Sequence, residues 1–155
     1  MADDSGSEVS TRTETTALQD ALAAEHTAVW GYGVVGATLA GSARQPAADS
    51  EAAHRDVRDR IVALLEQRKT DPVPAKAGYT LPFPVLSAVD AAKLAVVLED
   101  GVASAWVHVL GGAADHDVRA FAVDTLSATE VRAVAWRTTA GQTPVTSAFP
   151  GLPEQ

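Results

Sequence analysis

The chain has 155 residues and a mass of 16.0 kDa, room for one domain and too little for two. It has no cysteine, which excludes disulfide frameworks, thiolate zinc sites, iron–sulfur clusters and cysteine nucleophiles. A net charge of −8 and a pI of about 4.8 argue against nucleic acid and anionic membranes as partners, since both select a basic surface.

Thirty-one alanines against 5% aromatics favour helix over strand, because alanine loses no side-chain entropy in a helix. Residues 1–15 read as a disordered acidic tail, with Asp3, Asp4, Glu8 and Glu14 against a single Arg12. This start lacks the basic residues and apolar stretch of a secretory leader. No run of about 18 apolar residues is found, so no membrane-spanning helix is expected and the expected location is the cytoplasm.

Residues 16–155 are expected to form a single domain ending in an extended tail. A first helix is expected from Thr16 to Leu39, with apolar positions at Leu18, Leu22, Val29, Tyr32 and Gly36. Glu25 fills the gap in that row, where a hydrophobic residue belongs. A second helix is expected from Ala47 or Glu51 to Lys69, on the row Val57, Ile61, Leu64, and a step back of three residues from Val57 reaches His54. Residues 70–89 hold Pro72, Pro74, Pro82 and Pro84 and cannot be helical. That stretch is too long for a tight turn, so it is expected to be an extended strap returning along the molecule, with Tyr79, Leu81 and Phe83 alternating inward.

A third helix is expected from Asp90, as cap, to Gly111–Gly112. Its row is Ala95, Glu99, Val102, Trp106, Val109, again with a glutamate in a core position. The fourth, from Asp115 to Ala140, carries a broader face of Phe121, Leu126, Val131, Val134 and Trp136. Short 1–2 and 3–4 links with a long 2–3 link give an all-α four-helix bundle with a long proline-rich crossover between helices 2 and 3.

Several segments carry a family likeness. They are Leu18–Gln19–Asp20 with Glu25–His26, His54–Arg55 with Arg58, the stretch 77–85 (AGYTLPFPV), Glu99–Asp100 with Trp106, Ala135–Trp136–Arg137, and the tail pieces 144–146 (PVT) and 148–151 (AFPG). On these the chain resembles an actinobacterial ferritin-like family of unknown function, over nearly all of its length from residue 17. The resemblance implies a ferritin-like bundle and no established activity.

Dinuclear sites in such bundles take one Glu from each of two helices and Glu-x-x-His from each of the other two. The chain offers Glu25, Glu51-Ala-Ala-His54, Glu99 and Glu130, with Ala133 where the second histidine would stand. The candidate metal ligands are therefore Glu25, His54, Glu99 and Glu130, for iron or manganese. A fold-back near residues 43–44 would leave His54 about 12 Å below Glu25, while Glu99 and Glu130 would align to about 4.5 Å.

Three readings stand. In the first, the bundle has a degenerate or absent metal site, binds no cofactor, and acts by self-association, as a homodimer, or by binding a protein or small molecule. In the second, it is a di-iron or di-manganese protein handling oxygen, peroxide or metal. In the third, Glu25, His54, Arg58 and Glu99 line a polar binding pocket. No phosphate loop, dinucleotide fingerprint or nucleophile elbow is present, so no catalytic residue is assigned and the reading leans away from an enzyme.

Overall fold

In the computed structural model, which describes residues 3–153 and the side chains of 10–153, helix α1 spans Asp3–Thr38. It buries Glu14, Leu18, Ala21, Glu25, Ala28, Tyr32 and Val35, and Leu39 just past its end continues the row. The steps alternate between four and three residues, the period of a helix packed along one seam. Ala28 holds the position expected for Val29.

The expected disordered tail is corrected in part. Residues 3–15 are helical, and Glu14 is buried because it is used: it pairs with Arg68 and accepts the backbone N–H groups of Ala114 and Asp115 at 2.7 Å each. Residues 1–2 lie outside the described part.

One turn of 3-10 helix, Gly41–Ala43, leads into α2 (Arg44–Gln67), which starts three residues before the earlier of its two expected starts. Pro46 falls in the first turn, where its missing N–H costs nothing. Beyond the C-cap Arg68, the N–H of Lys69 bonds Glu66 O at 2.9 Å and that of Thr70 bonds Leu65 O at 3.0 Å. That Schellman closure requires Lys69 to take a left-handed φ of 54°.

α3 (Ala88–Gly112) begins one turn differently from the expectation. Ser87 is the cap, accepting the N–H of Asp90, and the Asp90 carboxylate returns to the Ser87 hydroxyl and the Leu86 N–H. α4 (His116–Thr139) begins where expected, with Asp115 as its cap accepting the N–H groups of Asp117 and Val118.

The described residues hold four α-helices and no strand. α1 packs against α2 and α3, and α3 against α4. The ends of α2 and α3 meet at Glu14, so these two helices run in the same direction. Residues 68–87, which join them, follow α1: Gln19 bonds the backbone of Asp71 and Val73, His26 bonds Val73 O, and Tyr79 packs on Trp30. Leu81, Phe83 and Val85 then alternate inward onto the core.

Two apolar clusters fill the interior. One gathers Leu18, Leu22, Ile61, Leu65, Val102, Trp106 and Phe121, the other Tyr32, Val35, Leu39, Leu94 and Trp136. Glu25, His54 and Glu99 lie between them. Among the described residues, α3 is the one helix long and apolar enough, by length and composition, to pass for a membrane span, although Glu99 and Asp100 interrupt its apolar run. Its apolarity follows from its place between α1 and α4, where both sides meet protein.

On α4 the buried row is Val118, Ala122, Thr125, Thr129, Ala133 and Trp136, whereas the expected Val131 is 73% exposed. The tail closes onto α3 at Gly151, whose φ is 76° and where a Cβ would lie 2.6 Å from Ala103 O.

Candidate functional site

Glu25 on α1, His54 on α2 and Glu99 on α3 are each fully buried and meet in one layer. His54 Nδ1 lies 2.7 Å from Glu25 Oε2, and its Nε2 lies 3.1 Å from Glu99 Oε1. A neutral imidazole has only one N–H, so a ring that donates to two carboxylates must carry both protons. Burial by itself disfavours that charge. The two hydrogen bonds and the charges of Glu25 and Glu99 outweigh it together and push the His54 pKa up to about 9.

The carboxylates are saturated from the neighbouring helices. Trp106 Nε1 donates to Glu25 Oε1 at 2.9 Å, and the Tyr32 hydroxyl donates to Glu99 Oε1 at 2.5 Å. Trp106 lies seven residues beyond Glu99, and Tyr32 seven beyond Glu25. In the antiparallel α1–α3 pair, each glutamate therefore accepts from the aromatic one heptad along the other helix. From α4, Arg132 Nε reaches both oxygens of Glu99 at 3.0 and 3.2 Å, and its Nη2 bonds Thr129.

Desolvation would raise the Glu99 pKa, but the His54 and Arg132 contacts prevail and lower it. The Tyr32 phenol is shifted the other way, raised by burial and then by the adjacent Glu99 charge. The Tyr32 ring also stacks on His54, with centroids 5.4 Å apart. Two carboxylates, one imidazolium and one guanidinium make a layer of zero net charge, the form in which buried charges are tolerated.

Three of the expected site residues thus come together and two do not. The half judged misaligned is the half that closes. The α1–α2 turn centres on Gly41 rather than residues 43–44, which puts Glu25 level with about residue 57. The remaining rise of about 4.5 Å is spanned by two long side chains.

Glu130 is corrected. The α4 seam passes through Thr129 and Ala133, so Glu130 is turned aside and meets Arg137 Nη1 at 3.4 Å, while Arg137 also holds Asp100 at 2.5 Å. Arg58 is corrected as well: at the edge of the buried face of α2 its head reaches water and pairs with Asp59. Glu51 pairs with Arg55. A buried Arg, His or Trp is the kind of partner a seam glutamate is expected to find, and Arg132, His54 and Trp106 are those partners; the Tyr32 hydroxyl is an addition to that expectation.

Among the described residues, no group of three or more His, Asp or Glu side chains is disposed to hold a metal ion. The acceptor oxygens of Glu25 and Glu99 face N–H and O–H donors rather than a shared point.

Residues 17–154 match a family described as a domain of unknown function, DUF4439. A crystal structure of a conserved hypothetical protein, rv2844, from Mycobacterium tuberculosis is 39% identical, with a TM-score of 0.80 over 82% of this chain and 96% of that one. No curated protein matches. On the extent of the family match and the likeness in sequence and structure to the mycobacterial protein, the chain belongs to the DUF4439 family.

Proposed function

We propose that this protein is a ferritin-like four-helix bundle, with residues 68–87 as its long crossover, in which a protonated histidine takes the place of the metal. It acts by self-association and by holding a ligand or partner, not through metal-dependent redox chemistry. The observation that carries this reading is the position of His54, with one ring nitrogen on Glu25 and the other on Glu99.

Dinuclear carboxylate sites bring four carboxylates and two histidines to two cations. Here two carboxylates meet one histidine, and Arg132 supplies a further fixed positive charge. Metal entry would require His54 to lose a proton and the Trp106, Tyr32 and Arg132 bonds to break. The donor set does not suit iron or manganese. Self-association has support on α4, where Val123 and Val131 are exposed at 49% and 73%.

The test is elemental analysis of protein expressed with added iron and manganese, alongside its mass in solution. The expected result is a dimer with well under one metal per chain. About one equivalent or more, lost in both Glu25→Ala and Glu99→Ala, would overturn the reading.

A further inference from the structure

The backbones of α2 and α4 stay apart on the flanks of the bundle. Side chains bridge the gap lower down, where Arg60 lies over the Phe121 ring at 3.8 Å. Towards the α1–α2 turn the gap opens into a cleft of about 510 Å³. Leu39, Pro46, Ala135 and the Trp136 ring give it apolar walls, and Ser50 and Arg132 lie on its inner side. That volume suits a small organic molecule.

The cleft holds donors whose acceptors the chain does not supply. Arg132 uses Nε on Glu99 and Nη2 on Thr129, and its Nη1 has no partner among the described residues. Trp136 lines the same cleft, and its indole N–H has no acceptor among the described residues either. Neither nitrogen is sealed from water, so each is open to a ligand, and a guanidinium nitrogen left free in an apolar-walled cleft is suited to an anionic oxygen. The charge available is small. One guanidinium is already half engaged, Asp49 lies at the rim, and the whole chain carries −8. A multiply charged anion such as a phosphate would be repelled, whereas a single carboxylate would not.

We propose that the α2–α4 cleft binds a small amphipathic monocarboxylate. Its carboxylate pairs with Arg132 Nη1 and the Trp136 indole N–H, and its apolar body lies along Leu39, Pro46 and Ala135. Glu99 holds the inner edge of Arg132, so the buried layer orients the guanidinium that receives the ligand. The inference names a ligand class for the binding role proposed above and rests on that role, but not on the absence of metal.

Octanoate is the probe, with 1-octanol as its uncharged counterpart. Binding is followed by calorimetry and by the Trp136 indole N–H resonance, assigned with Trp136→Phe. Octanoate is expected to bind one per chain, at least about tenfold tighter than 1-octanol, and to shift that resonance. Ala135 is exposed and outside the buried layer. Ala135→Phe should fill the cleft and weaken octanoate at least about tenfold without changing the melting temperature. Arg132→Gln should remove the preference for octanoate over octanol.

No saturable octanoate binding up to about 10 mM would overturn the proposal. Equal affinity for octanol, or wild-type affinity in a folded Ala135→Phe, would do the same. Should Ala135→Phe fail to fold, the octanoate–octanol comparison and the Trp136 resonance of the wild-type chain still decide. Metal-loaded protein that binds octanoate would contradict the metal-free reading and leave this one standing.

Discussion

Arg132 on α4 grips Glu99 on α3 through a single nitrogen, Nε, placed 3.0 and 3.2 Å from the two carboxylate oxygens. Glu99 is fully buried, so removing this partner strands part of a charge rather than merely losing a contact. Arg132→Gln is expected to lower the unfolding free energy by about 2–3 kcal/mol in urea titration, near the figure for a charge-assisted bond. Arg132→Lys should recover part of it, since the charge returns without the planar fork.

His54 is the more costly position. His54→Leu leaves Glu25 and Glu99 facing each other without the cation between them, and is expected to destabilise by about 3–5 kcal/mol. Replacing Glu25, His54 and Glu99 together with leucine or methionine should cost less than His54→Leu alone, because no uncompensated charge remains. Urea denaturation of the three chains side by side checks the order, and strictly additive losses would contradict the account.

The same residue sets the response to alkali. The His54 pKa rises from 6.5 to about 9 on folding, so the folded state holds its proton where the unfolded chain has lost it. The stabilisation is complete below about pH 6.5, declines as the pH rises, and is gone above about pH 9. Its full size is on the order of 3 kcal/mol. Unfolding free energies measured from pH 6 to 10 should show that decline, and His54→Gln should lack it. On the acid side the sign reverses. The lowered pKa of Glu99 gives stability that is present above the ordinary carboxylate range and is lost as the pH falls below it.

How much of this was legible in the sequence depends on the helix. On α1 and α3 the buried rows follow the alternating steps of the apolar residues, so Glu25 and Glu99 could be placed in the core from spacing alone. The same spacing holds Tyr32 and Trp106 one heptad further on, and antiparallel pairing of α1 with α3 would have put each opposite the other helix's glutamate. On α4 the expected Phe121 and Trp136 are buried, but the row between them is Ala122, Thr125, Thr129 and Ala133, while the larger Val123 and Val131 face solvent, so hydrophobicity misplaced Val131. The depth of His54 turned on where α1 folds back. A shift of about 2–3 residues in the turn moves the partner level by about twice that, enough to separate contact from 12 Å. Arg132 lies three residues beyond the seam residue Thr129, a helical step, but as an arginine it carries no hydrophobic signal.

Glu14 gives a prediction at the far end of the bundle. It ties α1 to the end of α2 through Arg68 and to the α3–α4 turn through the amides of Ala114 and Asp115. Glu14→Ala should cost about 2 kcal/mol, since it leaves two backbone N–H groups and a guanidinium without their acceptor. Amide hydrogen exchange at residues 114 and 115 should rise while exchange around Val35 and Leu94 stays slow. Uniform loss of protection across the chain would contradict a local tie.

The most direct measurement of the central claim is the ¹⁵N spectrum of the His54 ring at pH 7.5. A doubly protonated imidazolium is expected, with both ring N–H protons slow to exchange and unchanged by added manganese or zinc. A neutral ring with one bare nitrogen, or a ring whose signals move or broaden in step with bound metal, would contradict it.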